Sequence, residues 1–422
     1  MRLTLSALTF FGLTVALFQD LPAQGQTQAS SSFEVVVTPN DNPNSELFAA
    51  SASSPNDIWA VGQSTIHFDG AKWTAFSAPM IKGDNNSFLQ GAVAISPTLA
   101  WAAGNVTDGA HPGQVIEQWN GTRWSLFPGP KFGKRDRAEV FAMTSSSAND
   151  VWAIGNLVNL GTGLASPLFE HWNGTAWTAA TLVSNNQFLF GASADAANDA
   201  WAVGFNGSDS ITTSAMHWDG TNWKRVATPN VGEGTNKLNA VLALAQNDVW
   251  AVGFSTPAAP PKQAATLTLI EHFDGTNWAV VPSPNVGPDS TNESNRLLGL
   301  TANSADDIWA FGSYFAADGS GHQVTLLLHW DGTSWTVASS PSPTKGGFPC
   351  DLLWAGVVSS AGDVWILGSV HDETLAIHKT TGADPNLVSS FWFLSDRSYR
   401  STDPVTPGEI PIGDTEAESE SP

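Results

Sequence analysis

One motif recurs seven times along the chain and constrains the fold more than any other feature. A tryptophan stands in the frame [VI]-W-[AI]-x-G, or in a one-residue variant of it, at intervals of 42 to 59 residues. This spacing is the period of propeller blades rather than of helical or leucine-rich arrays. The seven residues are Trp59, Trp101, Trp152, Trp201, Trp250, Trp309 and Trp365.

Residues 237–285 show how one repeat divides into strands. Lys237–Leu244 and Val249–Gly253 predict two strands joined by an Asn-Asp turn, and Thr266–Phe273 predicts a third that ends at an Asp-Gly turn. Asn277–Val281 predicts a fourth strand, which two prolines end. Four antiparallel strands make one blade, so the sequence predicts an all-β, seven-bladed β-propeller.

Small residues stand ten positions before each of the seven tryptophans. We expect them where the innermost strands of neighbouring blades converge near the axis of the ring. They are Ala49, Gly91, Ala142, Gly191, Ala240, Gly299 and Ala355.

The ring needs a closing strand, because the second frame of the repeat, aromatic-[DN]-G-x-x-Trp, occurs six times instead of seven. Phe33–Asn40 reads like the outer strand Trp278–Asn285 but precedes the first repeat. We expect it to be the outer strand of blade seven and to hide an edge that would otherwise pair with other chains. Ser390–Leu394 is a competing candidate for the same strand.

The two ends of the chain predict segments outside the ring. Residues 1–29 join one positive charge to an apolar stretch and small residues, which is typical of a signal peptide. The propeller is expected over residues 31–386, and residues 387–422 are expected to form an arm and a flexible acidic tail. We therefore expect a secreted or periplasmic monomer. Its lone cysteine, Cys350, cannot form an internal disulfide.

Charge limits the partners. The chain has 17 basic and 39 acidic residues, a net charge of −22, which opposes binding to nucleic acid and to anionic membrane surfaces. We expect neither a nucleic-acid partner nor insertion into a membrane.

The abundant tryptophans and histidines are expected to be structural. Residues that recur in every blade face equivalent surroundings, so most of the 19 tryptophans are expected to pack between blades. Equivalent histidines on stacked sheets lie about 10 Å apart, whereas zinc ligands lie about 2.0–2.1 Å from the metal. We therefore expect no metal or other cofactor. The recurring histidines are His67, His171, His217, His272 and His329, with His378 as a sixth.

Ligand binding is expected on the face that carries the long connections, between strands two and three and between blades, because loops on a rigid scaffold diversify freely. Thirteen residues before each tryptophan lies the predicted mouth of the central channel. The candidates there are Glu46, Glu139, Lys237 and Arg296, joined by Trp354, which falls outside the repeat. Lys134, Arg135 and Arg137 belong to a basic loop, residues 131–137, that is a candidate site for an anionic partner.

The order of these motifs resembles the kelch unit, in which a glycine-ended strand is followed by an aromatic residue, a turn and a tryptophan. The resemblance covers residues 33 to 386 and implies architecture. This chain has one glycine where kelch units have two, and tryptophan where they usually have tyrosine. It is also similar to secreted bacterial proteins with Asn-Asp-Val-Trp-Ala-Val-Gly repeats, which imply no assigned activity.

Propeller enzymes offer a residue-by-residue test. Galactose oxidase, a secreted kelch-type enzyme, needs a cysteine-linked tyrosine, a second tyrosine and two histidines, whereas this chain has Tyr314, Tyr399 and Cys350. Sialidases need an arginine cluster and a tyrosine nucleophile, and no arginine here repeats at a central position. We therefore expect a non-catalytic module that binds an extracellular glycan or protein. The alternative is a polysaccharide hydrolase or lyase that uses Glu46 and Glu139 at the channel mouth.

Overall fold

The computed structural model describes residues 33–40, 45–79, 87–106, 113–182, 186–207, 210–256, 265–287, 294–315, 322–343, 350–360, 362–371 and 373–379. Within these ranges the chain forms 28 strands and no helix. The strands make seven antiparallel sheets of four strands each. The structure is therefore the predicted seven-bladed β-propeller.

Each blade has an inner, a second, a third and an outer strand. The inner strands are β2 (Leu47–Ser54), β6 (Phe88–Ser96), β10 (Asp136–Ser147), β14 (Gln187–Ala196), β18 (Asn236–Ala245), β22 (Asn295–Ser304) and β26 (Asp351–Ser360). The second strands are β3 (Asp57–Gly62), β7 (Leu99–Val106), β11 (Asp150–Asn159), β15 (Asp199–Gly207), β19 (Asp248–Ser255), β23 (Asp307–Phe315) and β27 (Asp363–Val370).

The third strands are β4 (Thr65–Phe68), β8 (Gly113–Trp119), β12 (Ala165–Trp172), β16 (Ile211–Trp218), β20 (Leu267–Phe273), β24 (Gln323–Trp330) and β28 (Glu373–Lys379). The outer strands of blades one to six are β5 (Trp73–Ala75), β9 (Trp124–Leu126), β13 (Trp177–Thr181), β17 (Trp223–Val226), β21 (Trp278–Val280) and β25 (Trp335–Val337). Blade seven takes its outer strand, β1 (Glu34–Val36), from the start of the described chain.

Strand β1 closes the ring, as the sequence predicts. It pairs antiparallel with β28, so that Glu34 lies opposite His378 and Val36 opposite Ala376. Just after β1, the Asn40 side chain accepts a hydrogen bond from the backbone N–H of Thr374 at 2.7 Å. The competing segment, residues 390–394, lies outside the described residues, and β1 occupies the edge of β28 that it would need.

Inner strands surround a central channel. Each contacts the inner strand of the next blade, and β26 contacts β2. Crowding at this contact explains the small residues predicted there, because a Cβ added to Gly191 would lie 2.7 Å from the Cα of Ala240 in the next blade. The inner strand of every blade also carries a β-bulge one residue before this small position, for example between Leu47 and Ala49.

Aromatic edges join the blades. The second-strand tryptophans are 0–4% exposed. Each meets the aromatic residue at the start of the next blade's outer strand, with ring centroids 5.0–5.7 Å apart and planes 74–89° apart. In six interfaces that aromatic residue is a tryptophan. In the interface between blades six and seven it is Phe33, which packs against Trp309 and supplies the missing seventh copy.

The recurring histidines bond within their own blades. In six blades a third-strand histidine stacks on the second-strand tryptophan, with ring centroids 3.7–4.4 Å apart. Its Nε2 also contacts the Oδ1 of the aspartate two residues before that tryptophan, at 2.6–2.8 Å in five of the blades. Blade two has Leu99 and Gln118 at these positions and so lacks both members of the pair.

The predicted signal peptide, residues 1–29, and the predicted arm and tail, residues 387–422, lie outside the described residues. The chain divides into two units, Met1–Thr381 and Gly382–Pro422, and the propeller belongs to the first. Among the described residues, we find no apolar helix of the length that a membrane span requires.

Replacing Phe33 by alanine is expected to destabilise the closed ring. Its side chain is 6% exposed and packs against Trp309, so the free energy of unfolding should fall by about 3–5 kcal/mol, as for other buried phenylalanines. Deleting residues 31–40 should lower the melting temperature further, because it also bares the edge of β28. Thermal unfolding measures both effects. Val37→Ala is the matched control, since Val37 is 90% exposed; a Phe33→Ala melt equal to that of the control would rule out the closure.

Candidate functional site at the channel mouth

Among the residues that line the channel is one from each blade that the inner-strand bulge adds. These seven residues form the throat ring: Phe48, Gln90, Phe141, Phe190, Asn239, Leu298 and Trp354. All seven are half-buried and surround a space of about 180 Å³. Five are apolar, so the floor of the site is apolar.

The throat ring is held by contacts among its members and their neighbours. Trp354 meets Phe48 edge-on at 5.5 Å between centroids, and Phe141 meets Phe190 at 5.0 Å. The two amides are tied down: Gln90 accepts a hydrogen bond from Asn105 at 2.8 Å, and Asn239 donates one to the Leu297 carbonyl at 2.7 Å. The ring is thus a preorganised surface.

Two predicted candidates, Lys237 and Arg296, lie side by side on phenylalanine rings. The Lys237 Nζ lies 4.3 Å from the centroid of Phe205, and the Arg296 guanidinium carbon lies 5.2 Å from that of Phe254. Lys237 also lies 5.9 Å from the Phe254 centroid, so Phe254 links the two cations. Cation–π contacts of this kind hold a positive charge in place without neutralising it.

These two cations lack a carboxylate partner within the described residues. Burial lowers the pKa of Lys237, and the positive charge of Arg296 lowers it further. Both effects disfavour the charged form of Lys237. A negative charge placed between the two side chains would stabilise that charged form. We call Lys237, Arg296, Phe205 and Phe254 the cationic lip.

The predicted acidic candidates are placed differently. Glu139 is neutralised by Arg137, whose Nη2 lies 2.6 Å from its Oε1. Glu46 is half-buried, and its backbone carbonyl accepts a hydrogen bond from the N–H of Gln63 at 2.9 Å. Glu46 and Glu139 stand on blades one and three, with blade two between them.

The basic loop is exposed. Lys134 and Arg135 form the turn before β10 and are solvent-accessible, and the Arg135 carbonyl accepts a hydrogen bond from the Leu160 N–H at 2.7 Å. Arg137 belongs to β10 and is held by Glu139. The structure therefore divides the predicted basic loop into three exposed cations, Lys131, Lys134 and Arg135, and one paired arginine.

Several site residues were missed by the sequence analysis. The throat ring depends on the bulge, and the residue types of the inner strands do not predict where a bulge occurs. Phe205 and Phe254 had a detectable signal, because they follow the motif glycine where the other blades have Gln63, Asn105, Asn156, Ser313 and Ser369. An aromatic residue in two neighbouring copies of a polar position marks a local departure from the repeat.

Three buried glutamates form a second unpredicted feature. Glu117, Glu170 and Glu271 occupy one position in the third strands of blades two, three and five, and are 0–2% exposed. The other blades have Ile66, Met216, Leu328 and Ile377 there. Burial raises the pKa of each glutamate to about 8. The polar side chains of Gln114 near Glu170 and of Thr213 near Glu271 lower the pKa but do not offset burial.

The described residues contain no candidate metal site. Among them, no group of three or more His, Cys, Asp and Glu side chains is placed to hold a metal ion.

This chain is similar in fold to known protein structures. No family model and no curated protein matches this sequence. YCF48 bound to D1 peptide is a similar solved structure, with a TM-score of 0.50 and 13% identity over 83% of this chain and 97% of that chain. YCF48 from Cyanidioschyzon merolae gives 0.48 and 17% identity over 82% and 98%. The extracellular domain of a putative hybrid two-component system from B. thetaiotaomicron gives 0.48 and 13% over 83% and 40%.

The stability of the ring is expected to fall as the pH rises from about 5 to 8. An unfolded glutamate ionises near its ordinary pKa of 4.5, whereas Glu170 and Glu271 keep their protons until about pH 8. The folded state therefore binds more protons within this window, and each rise in pH favours unfolding. Melting temperatures at pH 5 and pH 8 measure the loss. The double variant Glu170→Gln, Glu271→Gln should melt higher at pH 8 and show a smaller loss.

Glu233→Gln provides the control for that experiment, because Glu233 is exposed. It should leave the pH dependence of the melting temperature unchanged. A double variant with the pH dependence of the unsubstituted protein would contradict the raised pKa values.

Proposed function

We propose that this chain is a secreted, non-catalytic binding module for an extracellular protein or glycan, and that the ligand lies over the channel mouth on the face with the long connections. The observation that carries the proposal is the cationic lip above an apolar throat. It fits a ligand with an anionic group beside an apolar one, and a protein segment is the ligand that this combination favours.

The charge distribution supports an anionic group on the ligand. Lys237 is half-buried beside the exposed Arg296, and burial together with the neighbouring positive charge disfavours its ammonium form unless an anion neutralises it. Lys237 and Arg296 keep donors free, because their described contacts are with aromatic faces. A carboxylate between them would form charge-assisted hydrogen bonds, which are about twice as strong as neutral ones.

The aromatic residues favour a protein ligand over a glycan. Sugars stack on the open faces of indole rings, but no tryptophan among the described residues is exposed. The phenylalanines of the mouth pack against each other: Phe190 lies 5.7 Å from Phe205, which also stacks on Phe188 at 4.9 Å. YCF48, which shares the fold, has been solved with a peptide bound, which adds support for a protein segment.

The enzyme alternative, a polysaccharide hydrolase or lyase at the channel mouth, has less support. It relies on Glu46 and Glu139 as a pair of carboxyl groups. Glu139 is already engaged in an ion pair with Arg137, whose Nη2 lies 2.6 Å from its Oε1. Blade two also separates the two glutamates along the ring.

Secretion is proposed from the sequence of residues 1–29, which resembles a signal peptide. Mass spectrometry of the protein recovered from the producing cell tests it: the mature protein should begin between residues 23 and 30 and should be found outside the cytoplasm. An intact start at Met1 would contradict secretion.

Binding assays on the whole chain separate the candidate ligands. An array of peptides, with acidic and neutral members, and a glycan array should be probed in parallel, with a reducing-sugar assay on the glycans. We expect retention of acidic peptides with apolar neighbours. Retention of glycans without product would instead assign a glycan ligand, and release of reducing ends would assign an enzyme.

The double variant Lys237→Gln, Arg296→Gln is expected to weaken binding of a retained acidic peptide at least tenfold. Each charge-assisted hydrogen bond contributes about 1.5–3 kcal/mol, and tenfold corresponds to about 1.4 kcal/mol. Fluorescence anisotropy measures the affinity. The variant Lys134→Gln, Arg135→Gln removes the same charge from the exposed basic loop, and we expect it to slow association without much change in dissociation.

Equal losses in the two double variants would show that charge acts nonspecifically and would overturn the cationic lip as the binding site. An effect confined to the basic loop would move the site to residues 131–137.

A further inference from the structure

Blade one is shorter than its neighbours on the face with the long connections. Its second and third strands, β3 and β4, have 6 and 4 residues, whereas β7 and β8 of blade two have 8 and 7. Gln63 and Ser64 join β3 to β4 directly. The side of blade two that faces blade one is therefore left partly uncovered at this end.

A pocket of about 190 Å³ lies in this gap. One wall comes from blade one, with Gln63, Thr65 and Ala78, and the other from blade two, with Phe88 and Glu117. For comparison, a cavity of about 150 Å³ is enough to hold benzene. The pocket therefore has room for a side chain or a small molecule.

The carboxyl group of Glu117 faces this pocket with one oxygen lacking a hydrogen-bond partner. The residue is 2% exposed, and its Oε2 is buried without a hydrogen-bond partner. Glu170 and Glu271 occupy the same strand position, and their carboxyl oxygens are also buried without a hydrogen-bond partner. Glu117 differs from them because it lines this pocket, where a ligand can reach its carboxyl group.

A second acceptor points to the same chemistry. The Oε1 atom of Gln63 is buried without a partner and belongs to a residue that lines the pocket. Leaving a buried acceptor unpaired costs about 1–3 kcal/mol. Both oxygens can accept a hydrogen bond from a ligand, and a positively charged donor would in addition stabilise the ionised form of Glu117.

We propose that the pocket between blades one and two binds a primary ammonium group, of the kind that a lysine side chain carries, with Glu117 as its counter-ion and Gln63 as a second acceptor. Phe88, Leu89, Val115 and Phe76 line the pocket and would contact the methylene groups of such a ligand. This site is separate from the cationic lip, so it does not depend on the proposed function.

The affinity of the pocket for an ammonium group is expected to depend on pH, because Glu117 must lose its proton to pair with it. Burial keeps Glu117 protonated up to about pH 8 when the pocket holds no cation. An ammonium group pairs with the ionised carboxylate, so binding below this pH releases one proton from Glu117 to solvent. Among the described residues, no other titratable side chain lines the pocket; Glu46, on the neighbouring strand, meets Gln63 through its backbone carbonyl.

Calorimetric titration of the full chain tests the site with Nα-acetyl-lysine methylamide as the probe. The matched probe is the norleucine derivative, which lacks the ammonium group. We expect the lysine probe to bind at least tenfold more tightly at pH 8 than the norleucine probe. Its affinity should fall by up to about tenfold per pH unit as the pH is lowered toward 6. Titrations in two buffers of different ionisation enthalpy should show proton release.

Glu117→Gln should abolish the preference for lysine and the proton release, whereas Glu170→Gln should keep both, because it changes the same strand position in another interface. Ala78→Leu fills the pocket without touching the carboxylate and should also abolish binding. Thermal melts establish that each variant is folded.

Equal binding of the two probes would overturn the proposal. So would an unchanged lysine affinity in Glu117→Gln, or no binding at millimolar probe. None of these results would bear on the cationic lip, which is tested by other residues and another ligand.

Discussion

The edge-on contact between tryptophans of neighbouring blades is the interaction on which this ring depends. A single four-stranded sheet leaves both faces apolar, and each second-strand tryptophan becomes 0–4% exposed when the next blade covers it. The positive edge of one indole meets the negative face of the other, and each pair contributes about 0.5–1.5 kcal/mol beyond the burial of its area. The same contact recurs at all seven interfaces, with Phe33 in place of one tryptophan.

Repetition explains why the architecture was predictable. A tryptophan that recurs in every copy meets the same neighbour in every copy, so a sequence with seven copies implies seven equal wedges. The predicted strand Lys237–Leu244 corresponds to β18, and the predicted closing segment Phe33–Asn40 contains β1. The missing seventh tryptophan was informative because Phe33 stands in its structural place.

The candidate site was less predictable because it lies where the repeat is broken. Lys237 was found from its place relative to the motif, and Trp354 because it falls outside the repeat. The bulge that adds Phe48 and Phe141 to the channel lining is not encoded by the alternation of residues in the inner strands. Glu117 appears in sequence as an acidic residue before Gln118 and Trp119, like many exposed strand residues. Its burial is set by blade one, whose shortened strands are distant in the chain.

Phe88 contacts both the pocket beside Glu117 and the throat ring. Its ring lines the pocket beside Glu117 and meets Phe48 of the throat ring edge-on at 6.0 Å. The cationic lip belongs to blades four to six, whereas Glu117 belongs to the third strand of blade two, so the two proposed sites lie on different blades of the ring. The two proposed sites would therefore select ligands of opposite charge, because a like charge would be repelled at either one. At the cationic lip, the neighbouring apolar throat would add affinity to a bound ligand, and the two cations would fix its orientation.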